Sequence, residues 1–172
     1  EVLWRHTRLE LGSQLEGVLV APQHLVVVGQ AFEAEGIRMS CFDRKTGERL
    51  WFHDTTAPSA YSLDEINGQV VVAIRGEGQA ALKAFRAADG KVLWELPFTE
   101  ITGPESTFDL HRFGNDIVLT GKGIMRVQLK DGRKIWGKDT LSSDLSDPLT
   151  AALSGNTLTL SSKTGFGVLS YK

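Results

Sequence analysis

The sequence predicts an all-β fold, a β-propeller built of four-stranded antiparallel blades, and three observations carry that prediction. Four tryptophans recur at Trp4, Trp51, Trp94 and Trp136, spaced by 47, 43 and 42 residues. Each closes a similar phrase: E-V-L-W (1–4), T-G-E-R-L-W (46–51), D-G-K-V-L-W (89–94) and D-G-R-K-I-W (131–136). Between them runs a second phrase, a polar turn followed by a mostly β-branched run: P-Q-H-L-V-V-V (22–28), N-G-Q-V-V-V-A (67–73), G-N-D-I-V-L-T (114–120) and S-G-N-T-L-T-L (154–160). A period of about 40–50 residues holding four short strands is the signature of a propeller blade.

Within a period the strands run A to D. The β-branched run is strand B, because such residues suit a pleated, buried surface. A glycine opens strand C: Gly36, Gly78, Gly123 and Gly165. Gly47, Gly90 and Gly132 then stand four residues before the tryptophan of strand D and supply the positive φ that a tight hairpin turn needs. Taking Phe42, Phe85 and Leu129 as the apolar residues before these turns makes the third turn two residues shorter, which predicts a shifted register there. The segments 62–66 and 79–85 look helical locally, but the repeat frame sets the first at the entry to a strand and the second in strand C. Each tryptophan is expected to pack between adjacent blades. Burying one removes about 150–250 Å² from water, a gross gain of about 4–6 kcal/mol before entropy.

The frame gives one propeller segment, 1–172, with blades at about 5–51, 52–94, 95–136 and 137–172. Strand 1–4 completes another blade, and the last blade stops after a strand C at 165–171. Closure is then expected from the chain's own first strand, from a second copy, or from upstream blades of a seven- or eight-bladed parent. The last is the preferred expectation.

The phrase apolar-(D/R)-x-x-(T/D)-G-x-x-L-W resembles the blade motif of the PQQ-like, quinoprotein-type β-propeller family, and it covers all four periods. In the enzymes of that family the resemblance implies a quinone held with calcium beside a vicinal cysteine pair. This chain has one cysteine, Cys41, so no catalytic residue and no cofactor is carried over. The pattern is closest to the non-enzymatic scaffold members. These imply an extracytoplasmic protein-interaction module, periplasmic or in the cell envelope. A C-terminal fragment of a quinone-dependent dehydrogenase and a ligand-sensing ectodomain of a membrane kinase are the alternatives.

Composition narrows the classes further. Lys and Arg number 19 against 21 for Asp and Glu, a net charge of −2, without the basic footprint of a nucleic-acid binder. No apolar run approaches the ~20 residues of a membrane-spanning helix. A lone Cys41 cannot form an internal disulfide or a multi-cysteine zinc site. His6, His24, His53 and His111 lack ligand spacing, and no metal is expected.

Charge is nevertheless sorted. The predicted D–A and B–C loops hold Glu10, Glu16, Glu33, Glu35, Asp54, Asp64, Glu65, Glu77, Glu100, Glu105, Asp139, Asp144 and Asp147 against Arg75, Lys122 and Lys163. The C–D turns carry Arg44, Lys45, Arg49, Arg86, Lys91, Lys130, Arg133 and Lys134 against four acids. An acidic rim with aromatic tips suits protein docking. The residues expected to bind a protein partner are Phe32, Glu33, Glu35, Tyr61, Asp64, Glu105, Asp144 and Asp147.

Overall fold

A computed structural model describes residues 4–6, 11, 14–31, 36–56, 59–76, 79–98, 108–121, 123–138, 150–154, 157–161 and 166–170. They form four antiparallel sheets. The first orders β1 (Leu15–Val20), β2 (His24–Gln30), β3 (Ile37–Asp43) and β4 (Arg49–Thr55) side by side. The second does the same with β5 (Ser59–Ile66), β6 (Gln69–Gly76), β7 (Gln79–Arg86) and β8 (Val92–Phe98). The third holds β9 (Asp109–Phe113), β10 (Asp116–Thr120), β11 (Ile124–Gln128) and β12 (Lys134–Lys138). The fourth joins β13 (Thr150–Ser154), β14 (Thr157–Ser161) and β15 (Phe166–Ser170). Each sheet is a blade of a β-propeller fold. The chain divides into two compact units, Glu1–Glu95 and Leu96–Lys172.

Burial explains the alphabet of each strand. The inner strands β2, β3 and β10 are buried along most of their length, and β2 and β10 accordingly carry the unbroken apolar runs L-V-V-V and I-V-L. The edge strands β1 and β4 alternate, burying Trp51 while exposing Leu50 and Phe52.

The three C–D turns are identical in length, which corrects the shorter third turn expected from Leu129. In each, a glycine N–H donates back four residues: Gly47 to Asp43, Gly90 to Arg86 and Gly132 to Gln128. Their φ values are 75°, 70° and 71°. Each turn also has the same bond across its neck, Asp43 to Glu48, Arg86 to Lys91 and Gln128 to Arg133. Counting back from Gly132, the counterpart of Phe42 and Phe85 is Val127. Leu129 aligns with Arg44 and Ala87, whose amides likewise donate to the preceding A–B turn.

In the first unit the tryptophans act as expected. Trp51, 7 % exposed, donates its indole N–H to Ala87 O at 2.7 Å. Its ring lies over Gly90, where an added Cβ would come 2.6 Å from Cγ. Two residues on, His53 Nε2 bonds Gly90 O at 2.6 Å, and both rings pack on Phe85. The arrangement repeats one blade earlier. Trp4 donates to Arg44 O at 3.1 Å, His6 Nε2 bonds Gly47 O at 2.7 Å, and both rings pack on Phe42. Behind Trp51 the apolar seam between the first two sheets is continuous: Val26, Val28, Met39 and Cys41 meet Val70, Val72, Ile74 and Phe85. A glycine is required at 90 because the indole occupies the space of any side chain.

The second unit has its own core of Phe113, Val118, Ile124, Leu158 and Leu160. Beneath it, Arg126 is buried and donates from Nε to Asp116 Oδ2 at 2.8 Å, with its guanidinium carbon 5.1 Å from the Phe113 ring centre. Trp136 departs from the expected packing, being 37 % exposed against 7 % for Trp94.

Candidate functional site

The chemistry-bearing side chains of the described residues are largely engaged by the scaffold. His6 and His53 hold turn carbonyls. His24 Nδ1 lies 3.0 Å from Glu65 Oε2, linking β2 to β5. His111 faces Thr120 Oγ1 at 3.3 Å, and burial lowers its pKa. Cys41 is buried, its thiol 3.7 Å from Ala87 O, and burial followed by the nearby Glu65 charge pushes its pKa up to about 12. A thiol held protonated in this way is a packing group and a poor nucleophile. The vicinal cysteine pair of the quinoprotein enzymes has no counterpart in a chain with one cysteine. Among the described residues no cluster of three His, Cys, Asp or Glu side chains comes together.

The C–D turns present cations because Asp43, Asp89 and Asp131 fold back onto turn amides, while Glu48 stays exposed among them. Asp43 Oδ1 accepts from the amides of Lys45 and Thr46 at 2.9 and 2.7 Å, and these bonds lower its pKa, that from Thr46 first. Asp89 and Asp131 accept from the Lys91 and Arg133 amides at 3.1 and 3.0 Å. These are Asx-type turns, in which a carboxylate replaces a backbone acceptor. Arg44, Lys45, Lys91, Lys130, Arg133 and Lys134 remain exposed.

Of the residues expected to bind a partner, Phe32, Glu33, Glu35, Glu105, Asp144 and Asp147 lie outside the described residues. Tyr61 falls in β5, with its side chain outside them. Asp64 is a strand residue of β5 rather than a loop residue, and its Oδ1 accepts from the Glu65 amide at 2.8 Å. Two further acids assigned to the same loop are corrected likewise. Glu65 belongs to β5, which begins at Ser59, and Asp54 to β4, because strand D runs on to Thr55. Glu16 and Arg75 are also strand residues, of β1 and β6.

Asp54 is neutralised where it stands. Arg38, opposite it in the β3–β4 register, donates from Nε and Nη2 to its two oxygens at 2.7 and 2.8 Å. That bidentate bond holds the Asp54 carboxyl below the usual range. Neither this pair nor His24–Glu65 follows from loop composition. Pairing strands C and D outward from the Gly47 turn would set Arg38 opposite His53, and the register shift between Cys41 and Phe42 moves it opposite Asp54 instead. A shallow cavity of about 310 Å³ in the same unit is lined by Trp4, Val20, Leu25 and Arg44.

Comparison with known proteins gives the following. A family model described as outer membrane protein assembly factor BamB matches residues 1–120. None of the curated proteins matches the sequence. Among solved structures, the computationally designed Ika4 protein superposes with a TM-score of 0.70 at 18 % identity, covering 95 % of this chain and 96 % of that one. BamB from Moraxella catarrhalis gives 0.67 at 13 % identity over 90 % of this chain and 45 % of its own. Hsv2p from Kluyveromyces lactis gives 0.58 at 14 % identity, covering 93 % and 50 %. The chain thus spans about half the length of these two natural structures. At these identities the likeness is one of fold.

Proposed function

Because the chain belongs to the family described as outer membrane protein assembly factor BamB, we propose that it is a non-catalytic propeller scaffold for protein–protein interaction, working outside the cytoplasm in the periplasm or cell envelope. The observation that carries this reading is the family match over residues 1–120. The spending of histidines, cysteine and buried charge on seams between blades and on cores supports it. No helix among the described residues is long and apolar enough to cross a membrane.

The proposed contact surface is the acidic loops, through Phe32, Glu33, Glu35, Glu105, Asp144 and Asp147, together with Tyr61 and Asp64 of β5. An acidic rim steers a basic or extended segment and speeds encounter. Site-specific photo-crosslinking at Tyr61 and Glu105 in the native envelope tests this. Discrete protein adducts that are lost on charge reversal at Glu33, Glu35, Asp144 and Asp147 are expected. Adducts of unchanged yield in that variant would refute the acidic surface.

A further inference from the structure

The turn between β5 and β6 differs from its repeats in sequence and in chemistry. Three A–B turns align by one bond, in which the amide of Arg44, Ala87 or Leu129 donates to Gln23 O, Gly68 O or Asn115 O. Their two central residues are Pro22 and Gln23, Asn67 and Gly68, and Gly114 and Asn115. The chain has three asparagines, Asn67, Asn115 and Asn156, and only Asn67 precedes a glycine. An asparagine followed by glycine suits a tight hairpin turn because both residues accept positive φ. Asn67 has φ 53° and Gly68 φ 74°, and Asn67 is the one non-glycine with positive φ among the described residues.

The same dipeptide is chemically labile. The glycine nitrogen can reach the preceding side-chain amide, and glycine has no side chain of its own to block the approach. Here both residues are exposed, and nothing lies within 4 Å of a Cβ added at Gly68. The ladder closes on Ile66 and Gln69, which leaves the Gly68 amide outside it. Two aspartates followed by glycine provide the contrast. After Asp89 and Asp131 the glycine N–H is spent, from Gly90 to Arg86 O at 2.8 Å and from Gly132 to Gln128 O at 3.0 Å. Both carboxylates are also engaged, accepting from the amides of Lys91 and Arg133.

We propose that Asn67 is a site of spontaneous modification in the folded protein, and that its isoaspartate product loosens the joint between the first two blades. The Gly68 nitrogen bonds to the Asn67 side-chain carbonyl carbon, and ammonia leaves with the Gly68 amide proton. Water then opens the succinimide ring at either carbonyl, giving aspartate or isoaspartate. Aspartate keeps the original backbone. Isoaspartate carries the main chain through its side chain, which lengthens a two-residue turn by one atom. That turn is tied to the joint. Ala87 N–H donates to Gly68 O at 2.9 Å, while Ala87 O accepts from the Trp51 indole at 2.7 Å and lies 3.7 Å from the Cys41 thiol. Displacing Gly68 therefore disturbs the carbonyl on which both rest, and opens a path to a thiol that is otherwise buried.

The test ages the whole chain in native buffer at mildly alkaline pH. Mass-spectrometric peptide mapping and enzymatic methylation of isoaspartyl carboxylates follow the products. Conversion is expected to accumulate at Asn67, with Asp89 and Asp131 unchanged over the same period. Chains bearing isoaspartate, separated by ion exchange, should label Cys41 several-fold faster than unconverted chains. Asn67→Gly keeps a residue suited to positive φ and removes the reactive amide, so it should show no conversion and a constant labelling rate. Freshly prepared Asn67→Asp carries the charge on an unaltered backbone and should label at the starting rate. Melting curves check that both variants are folded. Three results would each overturn the inference: an unchanged Asn67 in the native chain when the excised peptide converts, equal labelling of converted and unconverted chains, or equal conversion at Asp89 and Asp131.

Discussion

Replacing Gly90 with alanine isolates the worth of the tryptophan seat. The residue has φ +70°, and a Cβ there would lie 2.6 Å from Trp51 Cγ and 2.7 Å from Cδ2. Gly68 offers a matched control, with φ +74° and nothing within 4 Å of its added Cβ. Both substitutions incur left-handed strain of about 1–2 kcal/mol. Only Gly90→Ala must also displace an indole fixed by its bond to Ala87 O, an overpacking cost of about 1–3 kcal/mol. The totals are therefore about 2–5 kcal/mol at Gly90 and about 1–2 at Gly68. At about 2–4 °C per kcal/mol for a chain of this size, the Gly90 variant should melt several degrees below the Gly68 variant. Urea and thermal unfolding followed by tryptophan fluorescence measure both. Equal losses in the two variants would mean that the Trp51–Gly90 contact contributes nothing, and the account of the seam would fail.

Other substitutions probe separate parts of the scaffold. His53→Leu keeps most of the packing on Phe85 but removes the bond to Gly90 O, and should cost about 0.5–1.5 kcal/mol by denaturant titration. Asp116→Ala strands a buried guanidinium and should cost about 3–5 kcal/mol, whereas Asp116→Leu combined with Arg126→Met should recover most of that loss. His111 is held neutral by burial, so the unfolded chain binds its proton more readily than the folded one. Its contribution is fully present above the ordinary histidine pKa and is lost as pH falls through the lower folded value, so His111→Leu should flatten that part of the stability–pH curve. Cys41 acts in the opposite range. With a folded pKa of about 12, its contribution is intact below the ordinary thiol value and is lost as pH rises from about 9 to about 12. Thiol titration of the native protein at neutral pH should accordingly be slow, and it should become fast in urea.

The blade frame was legible because the side chains that set it, a tryptophan and a turn glycine, recur at fixed spacing in the sequence and meet twice in the first unit. A tryptophan and a turn glycine at fixed spacing are two halves of one contact, as Trp51 on Gly90 shows. The third turn was misread because Leu129, the larger apolar residue, drew the alignment away from Val127. Turn hydrogen bonds count from Gly132, and they are indifferent to side-chain size. Asp54, Asp64 and Glu65 were misplaced in a loop because both strands that flank it are longer than expected: β5 already begins at Ser59, and β4 continues past His53. The alternation of Trp51, His53 and Thr55 carries β4 to its end. His24–Glu65 was hidden for a different reason: its partners lie 41 residues apart on different sheets, and only the packing of one blade on the next brings them together.

The seat of Trp51 also bears on how such a chain can grow. In the first blade the indole leaves from one face of the sheet, and the Phe42–Gly47 seat for Trp4 lies on the other. Donor and acceptor are thus encoded within a single period of about 43 residues. A duplicated copy of that period would arrive with both halves of the contact already in place. Added or deleted repeats therefore need no compensating change at the junction, and repeat number becomes a variable that gene duplication can alter in one step. Positions outside the joint, such as Phe52, are free to diverge between copies.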